Sequence, residues 1–417
     1  MPRVPPGRSR PLRNAASLLL AACLAGPNVC SGIESEDPIE KIRRMYDDAP
    51  FRLGPFKASP ELFLNNAGVD DNVWGAYEDP IRDFTFTAGG GGTLFLRAGH
   101  RVLLSVHETP SYVYFNETEQ LRGWNNALTV RQHVALNRFL VTFTEAASIV
   151  RERYSSEMDA PPRHKENAIE GSVLWLTAQR TSLEIRGRGT QIRYTDEDFE
   201  GQNLDTLLSR DETLVAGRLY YQLFPKTKLF VEGEGVRYAF RDDPEARDSR
   251  SRGLYAGFEF SPEATLSGAV RLGYESFEPL DPAAKSYDGI AGEAKIAYRF
   301  MSRFVARGLF SRNPYFSVYS DNTYFLETRA GIGGTVYLLR GLRIEYDYTR
   351  GENSYPEEPS PENRVDRYYI NQFRLAYRLR RHWDLGLSVY QWSRDSTVTD
   401  LGDNRTTWGF NLAYAGK

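Results

Sequence analysis

The chain has 417 residues, 41% hydrophobic, 13% aromatic and 26% charged, with a formal net charge of −3 and a mean hydropathy of −0.50. With no basic arm or patch, that balance argues against nucleic acid as a partner. No run of about 20 apolar residues follows the N-terminal region, which excludes transmembrane helices but not a membrane barrel, where only every second strand residue must be apolar.

In chain order, Arg3, Arg8, Arg10 and Arg13 precede an apolar stretch at 15–25. These are the basic and hydrophobic parts of a secretory signal, assigned to residues 1–30. The stretch ends Leu20-Ala21-Ala22-Cys23, which resembles a bacterial lipobox and would make Cys23 a lipidation site. The alternative is an ordinary signal cut a few residues later. Residues 31–50 are polar, with a brief helical candidate at 39–46, and read as a periplasmic lead-in. The only two cysteines, Cys23 and Cys30, both precede residue 51, so the remainder has neither a disulfide nor a Cys-based zinc site.

Residues 51–417 read as alternating strands. The period is clearest near the end, where Trp408, Phe410, Leu412 and Tyr414 share one face and Thr407, Gly409, Asn411 and Ala413 the other. About 18 strands are expected, within 56–66, 83–96, 101–115, a fourth marked by Leu128, Val130, Val134 and Leu136, then 140–150, 169–178, 183–194, 213–223, 229–240, 254–260, 266–274, 289–300, 303–311, 324–337, 342–349, 368–379, 383–391 and 406–414. Connections alternate short and long, and the long ones are rich in Pro, Asp, Glu, Ser and Asn. This is the habit of an antiparallel up-and-down transmembrane β-barrel in a bacterial outer membrane. An even count with long loops after odd strands places both termini in the periplasm. Outer-membrane lipid is the expected partner of the outer face.

Strand parity assigns the faces. Val215, Leu219, Tyr221 and Leu223 point to lipid, so Arg218, Tyr220 and Gln222 point inward. The same reasoning turns Arg186, Arg188, Glu232, Glu234, Arg271, Glu293, Arg303, Arg307, Arg343 and Glu345 to the interior as candidate pore-lining residues. A cationic side chain on the lipid face at mid-membrane costs about 2–4 kcal/mol, so such strands must aim their charges at water or at each other. Two consequences stay open: a hydrated conduit with charged walls, or a web of ion pairs that stiffens and partly fills the barrel. At about 18 strands, side chains alone do not fill the interior as they do in a barrel of about 8.

No catalytic constellation, cofactor site or metal site stands out. Among five histidines His107 falls on an inward position, beside Ser105 and Thr109, and a lone strand histidine is normally a structural polar group. The run Gly89-Gly90-Gly91-Gly92 lacks the Lys-Ser/Thr and helix of a phosphate loop, so it reads as a place of bending or close packing.

The start of the barrel carries Leu53-Gly54-Pro55-Phe56, Pro60, Gly68-Val69-Asp70-Asp71-Asn72-Val73, then Asp83-Phe84-Thr85-Phe86, a Gly-rich strand and the turn Gly99-His100-Arg101. This resembles the bacterial outer-membrane family "Putative beta-barrel porin 2", with Val69 where the family's usual residue is tyrosine. Members often accompany polysaccharide export machinery. The resemblance implies a non-enzymatic pore that passes a surface polysaccharide, with periplasmic export components as partners. Rival readings are a non-conducting scaffold or receptor with acidic outer loops, and a barrel hydrolase using His107.

Overall fold

The computed structural model describes residue 43 and residues 45–415, apart from 154, 159–160, 196–197, 200, 243, 320, 340, 357–363, 381 and 399–401. The signal and lipidation expectations, including Cys23, lie outside the described residues. Eighteen antiparallel staves close into one barrel. They are β1 Phe56–Asp70, β2 Asp83–Ala98, β3 in two pieces Val102–Glu108 and Ser111–Phe115, β4 Gly123–Leu136, β5 Phe139–Arg151 and β6 Arg163–Leu176. Next come β7 Thr181–Tyr194, β8 Arg210–Phe224, β9 Thr227–Phe240, β10 Ser249–Phe260, β11 Leu266–Pro279 and β12 Tyr287–Phe300. The last six are β13 Phe304–Phe316, β14 Tyr324–Leu339, β15 Leu342–Ser354, β16 Val365–Leu379, β17 Trp383–Ser396 and β18 Asp403–Ala415.

Each stave pairs with its chain neighbours, and β1 pairs with β18 to complete the ring. Closure is what allows a sheet to live in lipid, because an open edge would leave backbone groups without partners. Short turns and both ends of the ring's chain lie at one rim, and the long loops lie at the other.

Burial alternates as parity requires. Along β8, Ala216, Arg218 and Tyr220 are buried while Val215, Leu219 and Tyr221 are exposed. Most staves run a few residues beyond the apolar stretch toward the loop rim. There both faces are polar, so the period-two signal fades before the hydrogen-bond ladder does. The segment 163–167, expected as loop, is therefore ladder in β6, opposite β5 from Arg151↔Arg163 to Ala147↔Asn167.

The glycine run does pack closely. A Cβ at Gly91 would lie 1.9 Å from the Glu108 carbonyl oxygen, and one at Gly92 (φ +147°) 2.4 Å from that of Ser59. β3 breaks opposite this run, and the Gly90 N–H reaches the Pro110 carbonyl at 3.1 Å.

The Asp70–Val73 motif proves to be a clasp at the seam. The Asp70 carboxylate holds the Arg405 guanidinium, while Asn72 Nδ2 donates to the carbonyls of Ala76 and Asn404, each at 2.9 Å. The Thr406 N–H donates to Asp71 Oδ1 at 2.6 Å. Near the short-turn rim, Met45 and Tyr46 of the lead-in pack on an inner apolar cluster of Leu103, Ala135, Leu140, Leu174, Tyr220 and Phe230.

Candidate functional site

The inward charges form pairs that reach across a stave. On β8, Arg218 binds Glu232 of β9 and, at 2.8 Å, Glu259 of β10. From β11, Arg271 reaches back to Glu232 (2.9 Å) and Glu234 (2.5 Å), both on β9. Arg307 of β13 pairs with Asp347 of β15 at 2.8 Å, and Arg343 of β15 with Asp384 of β17 at 2.7 Å as well as with Glu345 beside it.

A small residue faces the arginine in three of the four long pairs, whereas Glu232 faces Arg218. Gly333 stands between Arg307 and Asp347 in the register, and a Cβ there would lie 1.8 Å from Asp347 Oδ1. Gly257 stands opposite Arg271, and Ala376, buried, opposite Arg343. A small residue leaves a trough along which an arginine lies flat, and its stem stays covered while its head meets a carboxylate.

The other predicted wall residues fall as follows. Tyr220 accepts from Arg218 Nη1 (3.1 Å) and donates to Glu184 Oε2 (3.0 Å). Arg188 meets Glu166 at 3.3 Å, and Arg186 stands between Ser172 and Ala216 in the register. Glu293 lies opposite Arg271 on β12, although the Arg271 head turns the other way. Arg303 corrects the expectation. It is exposed in the turn before β13, because the stave begins only at Phe304. His107 contacts Thr93 Oγ1 and Thr109 Oγ1, each at 3.0 Å, with Glu61 at 3.8 Å.

Parity did not reveal what covers the loop rim. After β5, Ser156 and Glu157 meet β14, β15, β17 and the loop that follows β13, about half the ring away. Glu157 Oε1 accepts from the Ser317 hydroxyl (2.8 Å), and its Oε2 accepts from the Val318 N–H (2.9 Å). Arg394 Nη1 donates to the Glu157 carbonyl at 2.8 Å, and Ser156 Oγ meets Asn353 and Glu327.

Met158 enters an apolar cluster with Tyr194, Phe240, Phe277, Phe316, Tyr324 and the helical turn Leu204–Leu208. Buried Arg247 ties the cover together by donating to the carbonyls of Leu207 (2.8 Å), Ser317 (3.0 Å), Tyr319 (3.2 Å) and Asn322 (3.3 Å). Sequence held one usable signal for this layer: Trp392 and Arg394 continue the inward period of Tyr390, so Arg394 belongs to the stave and not to the loop.

A closed ring of this size, charged within and apolar without, has the build of a porin. The family model described as "Putative beta-barrel porin 2" matches residues 144–414. The chain belongs to this family. The match begins after the Asp70–Val73 clasp, so family membership rests on the later staves and not on the residues that first suggested it. Among solved structures, a BenF-like porin from Pseudomonas fluorescens Pf-5 is similar at 10% identity, covering 87% of this chain and 99% of its own, with a TM-score of 0.52. OpdQ from Pseudomonas aeruginosa is similar at 10% identity, with 87% and 99% coverage and a TM-score of 0.50. At such identity they share a fold and nothing finer. No curated protein sequence matches the chain. The molecule is an outer-membrane β-barrel of the porin type.

Proposed function

We propose that this porin-family barrel is a gated, passive conduit for a polar solute, with a surface polysaccharide as cargo and periplasmic export components at the short-turn rim. In this reading the short turns and both termini face the periplasm, and the long loops face outward. The observation that carries it is the inner wall. Arg186, Arg188, Arg218, Arg271, Arg307 and Arg343 share the interior with Tyr220, Glu232, Glu234, Glu293 and Glu345, all on the face opposite the apolar band.

Staves β2 to β6 add hydroxyls on the same face, among them Thr93, Thr142, Thr144 and Ser172. Hydroxyls and paired charges can exchange hydrogen bonds with a glycan one group at a time, with no covalent chemistry. Polysaccharide is preferred because the family resemblance implies it. His107 is assigned no chemical step.

The covered loop rim favours a second reading, a non-conducting scaffold. Single-channel recording on purified protein in planar bilayers separates the two. The conduit reading expects brief ion-conducting openings that lengthen when segment 152–162 is replaced by a tight turn. A barrel that passes no ions before or after that replacement is a scaffold.

A further inference from the structure

We propose that Arg237, Arg250 and Arg252 form a docking site on the outer face of the barrel for a membrane lipid whose headgroup carries a phosphomonoester. The site lies on β9 and β10, across the wall from the lumen. It goes beyond the conduit reading and does not depend on it.

Strand period places the three side chains. Glu232, Glu234 and Tyr255 take the inner face of these staves, so Arg237, Arg250 and Arg252 take the outer one, and all three are exposed. Arg252 stands two residues, about 6.6 Å, toward the loop rim from Leu254, which is 64% exposed in the apolar band. Arg250 lies two residues further on. At that height a long stem can lie along apolar surface while the guanidinium reaches the headgroup layer.

The grouping carries a cost within the protein alone. Arg237 and Arg250 are direct register partners, and Arg252 faces Gly235, the neighbouring outward residue of β9. Like charges set opposite one another across a ladder repel. None of the three guanidiniums makes a hydrogen bond or an ion pair among the described residues. Glu278 stands opposite Arg250 on β11, but its Oε1 accepts from the Ser276 hydroxyl at 3.4 Å and no ion pair forms. Thr213 and Ser276 are the other neighbours across the ladders. Elsewhere near this rim, outward arginines are engaged. Arg193 holds Asp211 at 2.6 Å, Arg367 holds Glu352 at 3.0 Å, and Arg312 Nη1 donates to Thr328 Oγ1 at 2.6 Å.

Charge and place identify the occupant. Three guanidiniums call for concentrated negative charge. A phosphomonoester brings about two negative charges near neutral pH and three acceptor oxygens, which guanidiniums meet with paired N–H donors. A phosphodiester brings a single charge and suits one arginine. Because the apolar band begins beside Arg252, the phosphate arrives on a molecule whose tails enter the bilayer. The wall also leaves room for such a tail. Gly235 faces Arg252 and Gly233 faces Leu254. A Cβ at Gly233 would have nothing within 4 Å, and one at Gly235 nothing nearer than the Ser251 carbonyl oxygen at 3.9 Å. This recess gives an acyl chain a path along β9 beneath the arginines.

The test uses the full chain in neutral maltoside micelles. Lipid adducts are counted by native mass spectrometry as dioleoyl phosphatidic acid or dioleoyl phosphatidylcholine is added. Phosphatidic acid should bind at least about tenfold more tightly than phosphatidylcholine. Each of Arg237→Gln, Arg250→Gln and Arg252→Gln should weaken phosphatidic acid binding about fivefold. The triple variant should lose the preference and keep phosphatidylcholine binding, which also reports that the barrel has folded. A charge-matched control, Arg180→Gln, Lys226→Gln and Arg303→Gln at exposed positions of the short-turn rim, should keep the preference in full. Glycerol 3-phosphate at millimolar concentration should not displace the bound lipid. Equal affinity for the two lipids, single variants without effect, or an equal loss in the control overturns the site. Displacement by glycerol 3-phosphate makes it a site for soluble phosphates and overturns the lipid assignment.

Discussion

Arg218 illustrates how a single side chain is settled. Parity turns it inward, and two carboxylates then hold it, Glu232 beside it and Glu259 two staves away, with the Phe230 ring 4.5 Å from its guanidinium carbon. A buried guanidinium with two acidic partners adds less stability than its contacts suggest, because all three groups lost water. Removing the cation alone is a different matter, since it strands two buried negative charges. Arg218→Ala should therefore lower the unfolding free energy by about 3–5 kcal/mol. Urea titration of the vesicle-inserted barrel, read by tryptophan fluorescence, checks this. A change under about 1 kcal/mol would show that water enters this network freely.

The staves obey parity for most of their length, and one departure is informative. Glu145 lies on the outer, exposed face of β5, between Val130 of β4 and Ile169 of β6. A carboxylate on the lipid side is less costly than a lysine or arginine, yet it still opposes insertion. Glu145→Val should raise the barrel's unfolding free energy by about 1 kcal/mol in lipid vesicles, with no change in conductance. A loss of stability would mean that this carboxylate meets a polar partner on the outside of the barrel. Strand interiors were legible because lipid on one side and polar groups on the other impose a strict period. Their loop-side ends were not, because water meets both faces there. Arg303 was misread for a related reason: a turn residue next to a stave shares its parity but not its environment.

Across the whole molecule, the ring and its cover are held by different forces. The ring stands on backbone ladders between neighbours. The cover stands on a few side chains, above all Arg247 and Glu157, and on the apolar cluster around Met158. Such a layer can open at a free energy well below that of global unfolding. Arg247→Ala, which leaves every stave untouched, should preserve heat-resistant migration of the barrel on gels while increasing mean open time in bilayers. An unchanged open time would place the controlling constriction elsewhere in the lumen.

Alternation, turn spacing and strand parity by themselves determined that this chain closes into a barrel, because each depends only on residues close in sequence. They also limited the choices for each arginine to inward carboxylates nearby. Which carboxylate it meets was decided by tertiary structure, through the small residues Gly333 and Ala376 that let a side chain cross a stave, and through the Tyr255 ring over which Arg271 lies. The cover was decided there too. Glu157 and Val318 are 161 residues apart, and no local period records that two such positions meet across the mouth of a ring.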